Sequence, residues 1–326
     1  MSYTVSDISL EDLYSYWRDP AQSLVWPYPF ILPHWLEAWW TSFGEGKEPY
    51  LKKIIDGDDI IGIAPLMISD GAVGFLGSTD VCDYQDFIIR PGYETDFCAE
   101  ICAAIKGNGY SLLELKHVRP DSHVMNALRE YAGEQHFPFS SVEEDTSVGL
   151  TLPEDFEGYL NFLSTKQRHE VRRKLRRLNE SGTVTYRVLD DKPGIQQALD
   201  GFFSMFVESR NDKALFLTPV MKTFFLNLME KLGEAGILRL GVLELDGLQV
   251  ADIIFFDYGD CRYLYNCGYK PEYTGLSVGL VSKIKTIEDA IERKIRVFDF
   301  LKGNETYKYH LGGRDMPLSR CRVELT

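Results

Sequence analysis

At 326 residues, 44 % of them hydrophobic and 26 % charged, the chain is long enough for two ordinary domains and reads as folded throughout. A formal net charge of −14 excludes general attraction to nucleic acid or to an anionic membrane surface, so any anion the protein binds is met locally. The first residues carry no basic or apolar leader, no stretch nears the roughly 18 apolar residues of a membrane span, and six cysteines without a C-x-x-C pair exclude a disulfide scaffold; a cytoplasmic protein is expected.

In chain order, "PHWLEAWWTSFG" (33–44) predicts a helix on which Trp35 and Trp39 share a face at i, i+4, the pattern of core packing. "LKKIIDGDDIIGIAPLMI" (51–68) follows, two strands about the turn at Asp56-Gly57. A further strand "CDYQDFIIRPG" (82–92) ends at a Pro, then come a helix "ETDFCAEICAAIKGNG" (94–109) and a closing strand "SLLELKHV" (111–118). Cys98 and Cys102 sit four apart on that helix, with no further Cys or His nearby to make a metal site, and behave as small hydrophobes.

"LPEDFEGYLNFLSTKQRHEVRRKLRRLNESG" (152–182) reads as a helix that starts at Glu154 or Asp155 and stops at Ser181-Gly182. Seven cations lie between Lys166 and Arg177, while Val171, Leu175 and Leu178 recur at i, i+4, i+7, so the helix has one apolar face and is otherwise basic. Helices over 192–211 and 219–233 come next. Then the earlier order returns: "LRLGVLELDGLQVADIIFF" (238–256), "CRYLYNCGYKPE" (261–272), "SVGLVSKIKTIEDAIERK" (277–294) and "IRVFDFLKG" (295–303). Asp56-Gly57 and Asp246-Gly247 are 190 positions apart, and Ser111 and Arg296 are 185 apart, which points to duplication of one α/β unit. The helix before each closing strand makes a β-α-β crossover, so the fold class is α/β with a mixed sheet, in two domains, 1–150 and 151–326.

Three stretches in this order, "SFGEG…IIGIAPLMI…GFLGSTDVCDYQDFIIRPG", "YLNFLSTKQRHEVRRKLRRLNESG" and "FDFLKGNETYKYHLGG", resemble the GNAT-fold acyltransferases of the branch named after the cellulose-biosynthesis protein CelD, itself related to the FemAB peptidyltransferases. The resemblance runs from Pro33 to Gly313. It implies two tandem GNAT-like domains, the second of which carries the site, and transfer of an acyl group from acetyl-CoA or another acyl-CoA to an amine. In the Fem relatives the donor is an aminoacyl-tRNA. Such enzymes act by direct attack: they position two substrates, polarise a carbonyl and move protons, with no metal.

Carried onto this chain, the resemblance puts a diphosphate at 271–279, where the family has Gln/Arg-x-x-Gly-x-Gly/Ala. Here Glu272-x-x-Gly275-x-Ser277 with Gly279 departs from it by an acidic residue, which weakens the CoA assignment; Ser277 also suits a plain N-cap. The strand before it would be bulged and hold the thioester oxygen, with Asn266 and Gly268 as residues a bulge tolerates. Tyr307 falls where GNAT enzymes keep the general acid, Lys308 would neutralise an oxyanion or grip the acceptor, and Asp299 and Glu305 are the candidate bases; Asn304 replaces the family's Asp. Arg168 and Arg172, one turn apart, would clamp an anion, against the alternative of a solvated helix pairing with acidic residues of the first domain; His169 reads as a surface His. Asp83 and Tyr84, with Asp80 and Asp86, would serve the acceptor from the first domain, or cap turns in a vestigial site. The acceptor is expected to be a small amine, on an amino sugar or cell-envelope precursor, in polysaccharide biosynthesis. A Fem-like transferase using tRNA, less favoured, and a non-catalytic binding module stay open beside it.

Overall fold

The computed structural model describes residues 3–326, which divide into two compact units: residues up to Thr146 together with Met316–Thr326, and Ser147–Asp315. In chain order the elements are β1 (Thr4–Asp7), α1 (Leu10–Arg18), α2 (Pro33–Phe43), β2 (Glu48–Asp56), β3 (Asp59–Ser69), β4 (Ala72–Phe75), β5 (Ile88–Ile89), α3 (Glu94–Gly107), β6 (Leu112–Val118), α4 (His123–Glu134), β7 (Phe139–Thr151), α5 (Phe156–Phe162), α6 (Thr165–Asn179), β8 (Val184–Leu189), α7 (Lys192–Ser209), α8 (Asn211–Phe216), α9 (Pro219–Glu234), β9 (Leu238–Leu245), β10 (Leu248–Tyr258), β11 (Cys261–Tyr269), α10 (Val278–Glu292), β12 (Val297–Lys302), α11 (Thr306–His310) and β13 (Arg314–Glu324).

In the first unit the strands run β1-β2-β3-β4-β6-β13, with β5 on a further stretch of β3. The β2–β3 hairpin turns at Gly57, φ +62°, as the Asp-Gly signal requires. The strand expected over 82–92 is reduced to the two residues of β5, and β4 takes the place beside β3. Trp35 and Trp39 are buried, as their spacing implies, and Phe97, Cys98, Ile101, Cys102 and Ile105 turn one face of α3 into the core. The expected boundary at 150/151 needs correction at both ends. The chain returns to this unit at Met316: β13 pairs antiparallel with β6 and seals Cys321, Val323 and Leu325 into the same core.

In the second unit the order is β7-β12-β11-β10-β9-β8, β7 contributing Ser147–Thr151. The β9–β10 turn has Asp246 at φ +52° and Gly247 at φ +76°, the left-handed pair that a two-residue hairpin favours. Ile253 and Phe255 of β10 pack with Ile284 and Ile287 of α10, whereas α7 lies on β11 as well as on β10. The long helix expected over 152–182 is broken: Asp155 caps α5 through the Gly158 N–H, and Ser164 with Gln167 forms a capping box that restarts the chain as α6. Val171 and Leu178 are buried and Leu175 is partly so, as their period demands. Among the described residues no helix is long and apolar enough to cross a membrane.

Candidate active site

Strands β11 and β12 share a parallel ladder only over Cys261–Tyr263 and Val297–Asp299, and both leave straight geometry just beyond it. On β11 the register against β10 jumps from Leu264–Phe255 to Asn266–Ile254, so Tyr265 is an extra residue and the strand bulges there. On β12, Leu301 takes φ +63° and its N–H donates to Asp299 Oδ1 at 2.8 Å, while the register against β7 shifts between Asp299 and Lys302. Two strands that kink after a common rung must part, and the backbone of β11 from Asn266 onward runs free of β12.

Arg262 fixes the rung from which they part. Its side chain is fully buried, donates to both oxygens of Asp257 (2.7 and 2.9 Å), to Asp289 Oδ2 (2.6 Å) and to the Thr286 carbonyl (3.0 Å), and lies 4.2 Å from the Phe255 ring centroid. One guanidinium therefore ties β11 to the end of β10 and to α10.

Past β11 a 3-10 turn over Pro271–Leu276 leads into α10 through Ser277, φ +59°. Ser277 makes no side-chain cap; its Oγ accepts a 2.9 Å hydrogen bond from Lys174 of α6 instead. The basic helix thus delivers one cation to the N-terminus of α10, where unpaired backbone N–H groups and the helix dipole favour an anion. Gly279 is tightly placed: a Cβ there would lie 2.7 Å from the Tyr269 ring, whereas Gly275 is exposed with open space about it. Asn266 follows the bulge and borders a small gap with Phe206 and Phe225, on the face covered by α7 and α9. At Gly268 a Cβ would come within 2.6 Å of the Phe206 N, so glycine is required for α7 to pack, not for the bulge.

Tyr307, half-buried at the start of α11, stands 6.4 Å from the Phe300 ring with the Lys283 Nζ 4.9 Å over its own ring; its hydroxyl makes no hydrogen bond among the described residues. Burial first, then the charge of Glu305, push its phenol well above the usual range. Charge coupling links it to Arg210 and, on the part of β11 beyond its ladder with β12, to Cys267, whose carbonyl accepts from Lys213 of α8. Tyr307, Lys283, Lys213 and Arg210 therefore gather where β11 and β12 part. None of the three cations was predicted: "SRNDKALF" and "SVGLVSKIK" show ordinary helical lysines, and only the packing of α7 and α10 on β11, with α8 following α7, collects them.

Three expectations are corrected. Lys308 is buried and all three of its protons are engaged, by the carbonyls of Leu301, Lys302 and Gly303 at 2.9, 2.7 and 2.9 Å, with Glu305 Oε2 at 2.9 Å beside them. It folds the exit from β12, which Gly303 at φ +104° allows, and has no proton left for an oxyanion or acceptor. Asp299 is buried and one of its oxygens holds the Leu301 N–H, which forms the bend in β12. Tyr84 is fully buried among Tyr28 and Phe30 with the Arg119 guanidinium 4.9 Å over its ring, and thus packs the first unit; Asp83 is buried as well. In that unit it is Asp86, pushed up to about 6 chiefly by burial, that lines a cavity of ≈ 320 Å³ with Asp121 and His123.

Arg168 and Arg172 do share a face, but turn it to α5, where they donate to Asn161 Oδ1 and Glu157 Oε2 at 2.9 Å each. Glu170 takes Arg173 and Lys174, and Glu180 takes Arg176, so the partners of the basic helix lie in its own unit. Hydrogen bonds from Arg173 hold the Glu170 carboxyl down at about 2.

Residues 165–309, from the first residue of α6 into α11, match the family described as acetyltransferase (GNAT) domain. This stretch is a GNAT acetyltransferase domain. The whole chain is similar in fold to FemX, at 12% identity over 98% of this chain and 96% of that one with a TM-score of 0.67. It is also similar to a conserved protein of unknown function from Bacteroides thetaiotaomicron (12% identity, 99% and 100% covered, TM-score 0.63). A third likeness is to the C-terminal domain of a putative lysylphosphatidylglycerol synthetase from Agrobacterium fabrum (10% identity, 89% and 91% covered, TM-score 0.57). No curated protein matches in sequence. The hairpin, crossover helix and closing strand of this stretch recur in the first unit, so the two units share one mixed α/β pattern.

Proposed function

We propose that the second unit moves an acyl group from a CoA thioester to an amine by direct attack, at the parting of β11 and β12. The observation that carries this reading is Tyr307: a protonated, half-buried phenol beside that parting, in the match to an acetyltransferase domain. Lys174 at Ser277, the α10 N-terminus and the close approach of Gly279 to Tyr269 fit the donor's diphosphate; Glu272 at the exposed start of the turn opposes it only weakly. The free backbone of β11 past the bulge would orient the thioester and polarise its carbonyl.

The acceptor nitrogen attacks the carbonyl carbon; as the C–N bond forms and the C–S bond breaks, Tyr307 gives its proton to the departing sulfur and regains one from solvent. Glu305, half-exposed at the cap of α11 two residues before Tyr307, takes the proton lost by the amine through water. The acceptor proposed is an amine on an amino sugar or envelope precursor. An aminoacyl-tRNA donor is the second reading, for which the basic face of α6 speaks, but Glu157, Glu170 and Glu180 already neutralise much of that face.

Acetyl-CoA and CoA should raise the melting temperature by mass action, by several degrees at 100 times Kd, since about 2.7 kcal/mol is then added to the folded state. The absence of any shift with either ligand, together with binding of tRNA that weakens steeply with salt, would replace the first reading by the second.

A further inference from the structure

Lys213 and Lys283 are both withdrawn from solvent, Lys283 being 9 % exposed, and neither has a carboxylate partner among the described residues. What they do have is carbonyl oxygens and ring faces. Lys213 donates to the Cys267 carbonyl and to Ser209 Oγ (3.3 Å) and sits 4.7 Å from the Phe206 centroid. Lys283 donates to the Gly279 carbonyl at 2.7 Å and lies over Tyr307. Their charges are close enough to oppose one another, and Arg210 adds a third; burial first, then Lys283 and Arg210, bring Lys213 down to about 8. The nearest carboxylate, Asp212, is chelated by Arg210 at 3.0 and 2.7 Å and makes no salt bridge to Lys213 among the described residues.

Withdrawn cations without counter-ions are costly unless a ligand supplies the missing charge. The donor's diphosphate is an unsuitable source. Its place is at Ser277, where Lys174 already stands, and the Lys283 ammonium is turned to the Gly279 carbonyl and the Tyr307 ring. Lys213 instead comes from α8 and reaches the carbonyl of Cys267 on β11, beyond the rungs that β11 shares with β12.

Resting on the acyl-transfer reading above, we propose that Lys213, with Lys283 and Arg210, seats an acidic group, a carboxylate or a phosphate, carried by the amine acceptor. The acceptor is then zwitterionic, and its acid end fixes the amine toward the thioester carbonyl, while Lys213 acts as a positioning residue rather than a proton carrier.

The test compares amines that differ only in the acidic group: β-alanine against propylamine for the carboxylate, and O-phosphoethanolamine against ethanolamine for the phosphate. Binding to the full chain is measured by calorimetry and acyl transfer by initial rates. At least one acidic amine should bind about 10- to 100-fold more tightly than its neutral partner, the worth of one or two charge-assisted hydrogen bonds, and the arm that wins identifies the anion. Lys213→Met should erase that preference through a raised KM for the acidic amine, and Lys213→Arg should restore part of it. Lys192→Met, which removes an exposed lysine paired with Glu230 and Glu234, should change nothing. Thermal melts establish that each variant is folded, and the methionine keeps the apolar stem on Phe206. Equal binding of acidic and neutral amines, or a preference unchanged in folded Lys213→Met, overturns the proposal. Failure of acyl transfer with every amine while an acidic probe still binds through Lys213 would overturn the acyl-transfer reading and leave the anion seat.

Discussion

The phenol of Tyr307 stays protonated far above neutral pH because burial and the Glu305 carboxylate both oppose the phenolate, so on the proposed reading it meets the departing sulfur as an acid. Tyr307→Phe should therefore lower kcat by about 10² to 10⁴, the usual worth of a positioned acid, while the Kd for CoA changes little; an unchanged kcat in stopped-flow turnover would remove the role. Its neighbour Lys308 has the opposite fate. Lys308→Met strips three backbone carbonyls of their donor and frees the exit from β12, so it should cost about 3 kcal/mol or more in urea melts, with activity lost only as folded protein is lost. Asp252 on β10 adds a residue-scale effect remote from chemistry. It is fully buried, one oxygen accepts from Gln249 at 2.5 Å and the other lacks a partner, and burial raises its carboxyl to about 7. The folded state thus holds this proton up to pH near 7 while the unfolded chain releases it near 4, and stability from this group is full below pH 4 and falls as pH rises to 7. Asp252→Asn should raise Tm at pH 8 and have much less effect at pH 5; an equal gain at both pH values would show the group to be ordinary.

At the scale of elements, the parting of β11 from β12 depends on a buried network at its base and on close packing at its mouth. Removing the Arg262 guanidinium leaves Asp257 with only Arg239 and Asp289 with only Arg293, and Arg262→Met should cost roughly 3 kcal/mol in chemical denaturation. Gly268→Ala pushes a methyl against the α7 backbone, so it should destabilise by about 1–3 kcal/mol and lower acyl transfer, because α7 leads into α8 and Lys213. In contrast the arginines of α6 look prominent in sequence and are energetically modest. Arg172 and Glu157 are both largely exposed, so Arg168→Ala or Arg172→Ala should shift stability by less than about 1 kcal/mol. The dense positive segment serves mainly to frame α6 with acidic partners of its own unit, and its one contribution to the site is Lys174.

For the whole molecule, the return of Met316–Thr326 to the first unit has a physical consequence. Cys321, Val323 and Leu325 complete a core that residues 1–150 alone would leave open along β6. Residues 1–150 expressed by themselves should fail to melt cooperatively, whereas the same residues joined through a flexible linker to 316–326 should regain a sharp transition; equal melts would show the strand to be dispensable. The net charge of −14 belongs to this scale as well, since it leaves recognition of anions to a few inward-facing cations.

Period and turn chemistry are local, and what they govern was legible: the two Asp-Gly hairpins, the apolar faces of α2, α3, α6 and α10, the crossovers before β6 and β12, and the bulged strand, with the extra residue at Tyr265 just before Asn266. The roles of Lys308 and Asp299 were misread because a polar residue in a motif looks the same whether it serves a ligand or a backbone turn, and only the closing of the chain around Gly303 decides between them. Lys213, Lys283 and Arg210 carried no signal at all, since their meeting depends on which helices cross β11 and at what height. The amino-acid order alone determined the two α/β units and the kind of chemistry, because hydrogen-bonding and apolar periods act between near neighbours. Packing decided which charges are spent on the fold and which remain for a substrate, because burial and counter-ions are properties of residues brought together from distant parts of the chain.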